Sequence, residues 1–126
     1  MEREVLIAGL TSAVAGYISI LQIAKQGPFA EIYPELSDFN VFEPFQNQGI
    51  GNLLIEEAEK RVKLVSSRVT LGVGLHSGYG PAQRLYVKRG YIPDGTGVWY
   101  RNHPLEMNAT IQNNDDLVLY LSKELE

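Results

Sequence analysis

Near the middle of the chain the apolar residues change their spacing. Ile50, Leu54, Ala58 and Val62 fall four apart, the stripe of an amphipathic helix, inside a stretch from Phe45 to Leu64. Glu56–Lys60, Glu57–Arg61 and Glu59–Lys63 put the acid one helical turn before the base, the better orientation for such pairs. Acids crowd the start of the stretch and bases its end, as the helix dipole favours. A helix here, with extended segments before and after it, commits the chain to a mixed architecture in which a sheet must cover the apolar stripe.

Before that helix, Val5 to Leu10 is short and apolar, and Thr11-Ser12 is a two-residue turn candidate. Ala13 to Ile20 then alternates, with Val14, Gly16, Ile18 and Ile20 on one side of a pleat, which predicts a β-hairpin. Gln26-Gly27-Pro28 breaks the chain, and Pro34 opens a second extended run, Glu35 to Phe42. After the helix, Val69 to Leu75 reads as a strand carrying Gly72 and Gly74. Gly78-Tyr79-Gly80-Pro81 is a loop, and Pro81 suits the first turn of a second helix through Leu85 and Tyr86, ended by Gly90. Val98 to Arg101 is a short strand, Asn102 to Asp116 a loop rich in Asn and Asp, and Leu117 to Leu121 a buried last strand. The predicted fold is α+β: one domain over residues 1–126, with two helices packed on one central sheet.

Composition narrows the chemistry. At 126 residues the chain has the length of a single domain. It has no cysteine, which removes disulfides, zinc–thiolate sites and cysteine nucleophiles. Fifteen acids against eleven bases give a net charge of −4, so broad binding to nucleic acid or anionic membranes is not expected. No apolar run approaches the roughly 20 residues of a membrane span, and no leader-like apolar stretch follows Met1-Glu2-Arg3-Glu4. The expectation is a cytoplasmic protein.

Two segments carry residues suited to chemistry. Gln46-Asn47-Gln48-Gly49-Ile50-Gly51-Asn52 lies between a strand and the best helix. First-turn N–H groups lack intrahelical partners, the helix dipole makes that end positive, and glycine lets a ligand approach the backbone. Such a loop cradles a phosphate or pyrophosphate. A tight turn that merely needs small residues is the competing reading. No Lys-Ser or Lys-Thr follows, so it is not a P-loop, and Leu54 stands where a dinucleotide fingerprint needs glycine. The second segment, Ala82 to Tyr91, places Ala82, Leu85, Tyr86 and Arg89 near one another on a helix. A buried tyrosine there is either a core residue or a proton donor.

Together the two segments resemble the GNAT-type N-acetyltransferases, which move an acetyl group from acetyl-CoA to an amine. The cofactor motif is Arg or Gln, two residues, Gly, one residue, then Gly or Ala; here it is Gln46, Gly49 and Gly51, after the extended run ending Phe39-Asn40-Val41. The second motif, Ala-x-x-Leu-Tyr, three residues, Gly and an aromatic, is Ala82, Leu85, Tyr86, Gly90 and Tyr91. The likeness runs from about Val5 to Leu121, with one strand between the two helices as in the family.

The resemblance implies a mostly antiparallel sheet with one splayed strand pair. It implies that Gln46 to Asn52 bind the pyrophosphate and that Phe39, Asn40, Val41 and Phe42 hold the pantetheine arm through their backbone. Tyr79 is a further cofactor contact, where the family often has Asn. Gly72 and Gly74 are expected to help the facing strand diverge. Tyr86 matches the tyrosine that protonates the departing thiolate. Glu35, eleven residues before Gln46, matches the general base of part of the family; strand alternation would put it on one face with Ser37, Phe39 and Val41, and Asp38 on the other. Asp38 and His76 are the other candidate bases. The amine would attack the thioester directly, with no acyl-enzyme and no metal, and strand N–H groups would stabilise the developing oxyanion. The family's usual leading strand and helices, which wall the acceptor, have no counterpart before the hairpin. Three readings follow: an open acceptor site, a homodimer whose second subunit covers the apolar hairpin, or a CoA-binding module without turnover.

Overall fold

The computed structural model describes residues 3–10 and 13–126; Met1, Glu2 and the expected Thr11-Ser12 turn lie outside them. Seven strands and two helices follow one another: β1 (Arg3–Leu10), β2 (Ala13–Leu21), β3 (Glu35–Val41), α1 (Ile50–Lys63), β4 (Arg68–Gly74), α2 (Gly80–Lys88), β5 (Ile92–Tyr100), β6 (His103–Pro104) and β7 (Leu117–Glu124). The strands form one sheet in the order β1-β2-β3-β4-β7-β5-β6. Every neighbouring pair is antiparallel except β3–β4, which is parallel. This is the mixed α+β architecture expected from the sequence.

Both helices lie on one face of the sheet. Ile55, Ala58 and Val62 of α1 are fully buried in one cluster with Ile18 and Ile20 of β2, Leu36 of β3, Leu71 of β4 and Leu121 of β7. Each Leu or Ile so buried contributes about 1.5–3 kcal/mol. Glu59, also buried, is bound by Arg89 (2.8 Å), Tyr91 (2.8 Å) and Lys123 (2.9 Å), so one carboxylate fastens α1 to the end of α2 and to β7.

Two irregularities in the ladders depart from simple alternation. Ala8 pairs with Gly16 and Gly9 with Val14, leaving Ala15 as an extra residue. Ala15 is therefore buried, and Val14 is exposed rather than sharing a face with Gly16, Ile18 and Ile20. Tyr17 pairs with Asn40 but Ser19 with Ser37, so two residues of β3, Asp38 and Phe39, stand opposite Ile18. Asp38 takes φ 51°, a left-handed conformation at the bulge.

Element ends differ from expectation for local reasons. The helix begins at Ile50, not Phe45, because Glu43–Phe45 forms a separate 3-10 turn and Asn47 and Gly49 both take positive φ. The strand expected at Val98 begins at Ile92. Its ladder with β7 is broken between Pro93 and Val98, where Gly95 and Gly97 have positive φ and conceal the strand pattern. The two-residue β6 lies in the stretch read as loop. Among the described residues no helix is long and apolar enough to cross a membrane.

Candidate active site

The parallel pair β3–β4 is held together only at its start. Glu35 pairs with Thr70 and Leu36 with Leu71. Thr70 closes this narrow end by donating both its N–H (3.1 Å) and its hydroxyl (2.8 Å) to the Pro34 carbonyl. Beyond it β4 stays in unbroken register with β7 as far as Gly74. The strand that bends away is β3, at the Asp38 bulge. Gly72 and Gly74 therefore do not mark an irregularity of β4. A Cβ on Gly72 would fall 2.9 Å from the Tyr120 ring, and one on Gly74 would fall 2.3 Å from the Tyr79 ring. These glycines make room for aromatic rings. The result is a wedge with its apex at Leu36 and Leu71, open between Val41 and Gly74.

The loop from Gln46 to Asn52 lies where β3 ends and α1 begins. The Gln46 side chain donates to the Val41 carbonyl (2.8 Å) and that of Gln48 to the Pro44 carbonyl (3.3 Å), so both side chains tie the loop down. The first helical bond runs from Leu53 N–H to the Gly49 carbonyl, and no side chain among the described residues caps the helix. Among the described residues the backbone N–H groups of Asn47 to Asn52 have no acceptor, which leaves the helix start as an anion cradle. Gly49 has φ 83° and open space where a Cβ would stand, so a ligand meets bare backbone there. Gly51 has a different role: a Cβ would lie 3.1 Å from Phe39 and 3.4 Å from Leu85, because α2 packs close at this point. These residues fit a pyrophosphate.

The bulge also settles which side chains face which way. Phe39 and Val41 join Leu36 on the helix-covered face, packed against the core. Glu35 and Ser37 point to the opposite face, so the expectation that Glu35 shares a face with Phe39 and Val41 is corrected: one extra residue reverses the alternation. Asn40 and Phe42 are exposed, the Phe42 ring lying 5.9 Å from Tyr17.

Tyr86 is buried on the helix side, its ring 6.2 Å from Phe39 and 5.9 Å from Tyr91. Its hydroxyl has no hydrogen-bond partner among the described residues, and burial pushes the phenol up to about 12. It stays protonated at neutral pH, as a donor must. Glu35, on the other face, also lacks a hydrogen-bonding or ion-pair partner among the described residues. Burial, then the neighbouring Asp38, push its carboxyl up from 4.5 to about 7 against the pull of Arg3. Asp38 itself is exposed and paired with Arg3.

His76 has both ring nitrogens engaged. Nδ1 accepts from the Gly78 N–H (3.0 Å), so Nε2 carries the proton and donates to Asp115 (2.7 Å). Tyr79 lies 4.7 Å from that ring and covers Gly74, at the β4 side of the wedge. Gln83 of α2 donates to the Gly74 carbonyl (2.8 Å), fixing the second helix to the same strand end. Tyr120 lies on the Glu35 face, opposite Gly72; the sequence marks it only as a residue of the last strand, and the glycine–aromatic pairing shows once the register is known.

Residues 2–91 match the model of the acetyltransferase (GNAT) family. No curated protein sequence matches the chain. Among solved structures, an acetyltransferase of the GNAT family from Streptococcus pneumoniae is 24% identical with a TM-score of 0.68, over 99% of this chain and 68% of that one. A Streptococcus mutans protein is 18% identical with a TM-score of 0.73, over 99% and 72%. The PaiA N-acetyltransferase of Thermoplasma acidophilum, in complex with coenzyme A, is 19% identical with a TM-score of 0.66, over 98% and 62%. At these identities the likeness is one of fold. With the family match spanning well over half its length, the chain belongs to the GNAT family of acetyltransferases.

Proposed function

We propose that the protein is an N-acetyltransferase that moves an acetyl group from acetyl-CoA to a primary amine by direct attack. The observation that carries this reading is the wedge: the Tyr86 phenol lies on one side of the sheet and the Glu35 carboxylate on the other, with the N–H cradle beside its open end. Bound acetyl-CoA supplies an activated thioester. The N–H groups of Asn47 to Asn52 bind its pyrophosphate. Beyond Leu36 β3 has no further pairing with β4 among the described residues, so those backbone groups of Ser37 to Asn40 that face the wedge are open to the pantetheine amides, while the Val41 carbonyl is taken by Gln46 and the Phe42 N–H by the Ala15 carbonyl. Tyr79 flanks the opposite wall. Glu35 takes the proton from the incoming ammonium group, a task suited to a carboxyl with a pKa near 7. Tyr86 donates its proton to the departing thiolate sulfur. Amine and cofactor thus come from opposite faces.

The reading includes a single domain, action in the cytoplasm, and a second copy covering the exposed Val5, Ile7 and Val14 of the edge hairpin; a monomeric mass by light scattering contradicts the last. The test of the chemistry is CoA thiol release. Tyr86→Phe lowers kcat by about tenfold to a hundredfold and leaves acetyl-CoA affinity unchanged. A variant as fast as the wild type refutes the general-acid role. A protein that binds CoA yet transfers to no amine is instead the non-catalytic module.

A further inference from the structure

Arg89 lies near Leu85 and Tyr86 in the second motif segment, and the proposed reaction leaves it without a task. It follows the last turn of α2, and Gly90, at φ 95°, turns the chain there so that Arg89 and Tyr91 both reach α1. Its side chain is largely withdrawn from solvent, 19% exposed. A cation so placed needs acceptors, and α1 offers two. Nη2 (2.8 Å) and Nε (3.4 Å) donate to the Glu59 carboxylate, and Nη1 donates to Oδ1 of Asn52 (3.3 Å).

Asn52 and Glu59 are seven residues apart, about two turns of α1, and so share one face. The planar guanidinium spans them as a rigid fork, which a lysine ammonium cannot do. Glu59 is itself fixed, because Lys123 and Tyr91 also donate to it. Burial pushes its carboxyl up, but the bonds from Arg89, Lys123 and Tyr91 outweigh that and hold it below the ordinary carboxylate value. Arg89 thus has its orientation set from the buried end and passes it to Asn52.

Asn52 is the third residue of α1, and its backbone N–H is one of those in the cradle. Helix side chains tilt toward the N-terminus, so its amide lies at the cradle end of α1. With the oxygen turned to Arg89, the NH2 is turned away from it, and among the described residues that NH2 meets no acceptor. A carboxamide free to rotate would offer an anion its oxygen as readily as its nitrogen; one held by Arg89 offers the donor alone.

We infer that Arg89 is a positioning residue of the cofactor site: it holds the Asn52 amide with its NH2 toward the cradle, adding a side-chain donor to the backbone N–H groups that take the pyrophosphate. The inference rests on the acetyl-CoA reading for the identity of that anion.

The experiment is calorimetry on the whole protein with CoA and with dephospho-CoA, which lacks the 3′-phosphate but keeps the pyrophosphate. Asn52→Ala weakens both ligands about tenfold, as loss of one hydrogen bond to a charged group does. Arg89→Lys keeps a cation beside Glu59 but not the fork, and weakens both about fivefold. The double variant binds no more weakly than Asn52→Ala alone, because Arg89 acts only through Asn52. Losses that instead multiply, to about fiftyfold in the double variant, overturn the inference. So do losses seen with CoA but absent with dephospho-CoA, which would put Arg89 at the 3′-phosphate. Asn52 is exposed, so Asn52→Ala keeps the fold, and wild-type affinity in that variant overturns the inference whatever Arg89→Lys does. A wild type that binds neither ligand overturns the acetyl-CoA reading and this inference with it; one that binds both, with unaffected variants, overturns this inference alone.

Discussion

Replacing Glu35 by Gln should remove acetyl transfer and stabilise the protein in the same step. In the unfolded chain this carboxyl titrates at its ordinary 4.5; in the fold it titrates at about 7. Ionising it in the folded protein therefore costs about 3 kcal/mol more than in the unfolded chain, at 1.36 kcal/mol for each pKa unit. Because the folded value is the higher, the folded state binds the proton more tightly. The stability this gives is complete below about pH 4.5 and is lost as pH rises through 7. Glutamine cannot ionise, so the variant escapes that loss. Residual water at a carboxyl that is not wholly enclosed reduces the gain to about 2 kcal/mol. Urea denaturation of both proteins at about pH 4.5 and about pH 9 measures it. Near-equal midpoints at the lower pH, and a variant about 2 kcal/mol more stable at the higher, are expected, alongside a loss of roughly 100-fold or more in transfer rate. A difference that does not change between the two pH values refutes the raised carboxyl pKa, and unchanged transfer refutes Glu35 as the base.

Three further outcomes follow from named contacts. Asp38→Asn removes the repulsion that helps raise Glu35 and frees Arg3, so the acidic limb of the kcat/KM profile moves below 7, which a pH–rate series checks. Gly49→Ala meets no atom but forces a side chain onto φ 83°, so chemical denaturation shows a loss of about 1 kcal/mol from backbone strain alone. Glu59→Ala leaves Arg89 and Lys123 without their shared partner and costs about 3–5 kcal/mol in the same assay.

The two helices and the chemistry-bearing loop were legible because each had a local cause. The Ile50–Val62 stripe, the glycine after the second helix and the glycines of the cradle act within a few residues of themselves. What the sequence concealed depends on pairing between distant strands. A bulge at Asp38 reverses the faces of Phe39 and Val41, and nothing in Glu35 to Phe42 announces it; the cause lies in the register with Tyr17 and Ser19. Likewise Gly72 and Gly74 are expected from the sequence to help the facing strand diverge, yet Gly72 makes room for Tyr120, far along the chain, and Gly74 for the nearby Tyr79. The first half of β5 was invisible because Pro93, Gly95 and Gly97 break the alternation that marks a strand. The family resemblance pointed to Glu35 and Tyr86 one at a time, but their placement on opposite sides of one wedge emerges only in three dimensions.

The central claim is that the cradle and wedge bind acetyl-CoA. Calorimetric titration of acetyl-CoA and CoA into the folded protein, with ATP and NAD as controls, tests it most directly. Saturable binding of both CoA ligands, and none of ATP or NAD, is the predicted result. No binding of either CoA ligand by a protein shown to be folded would contradict it.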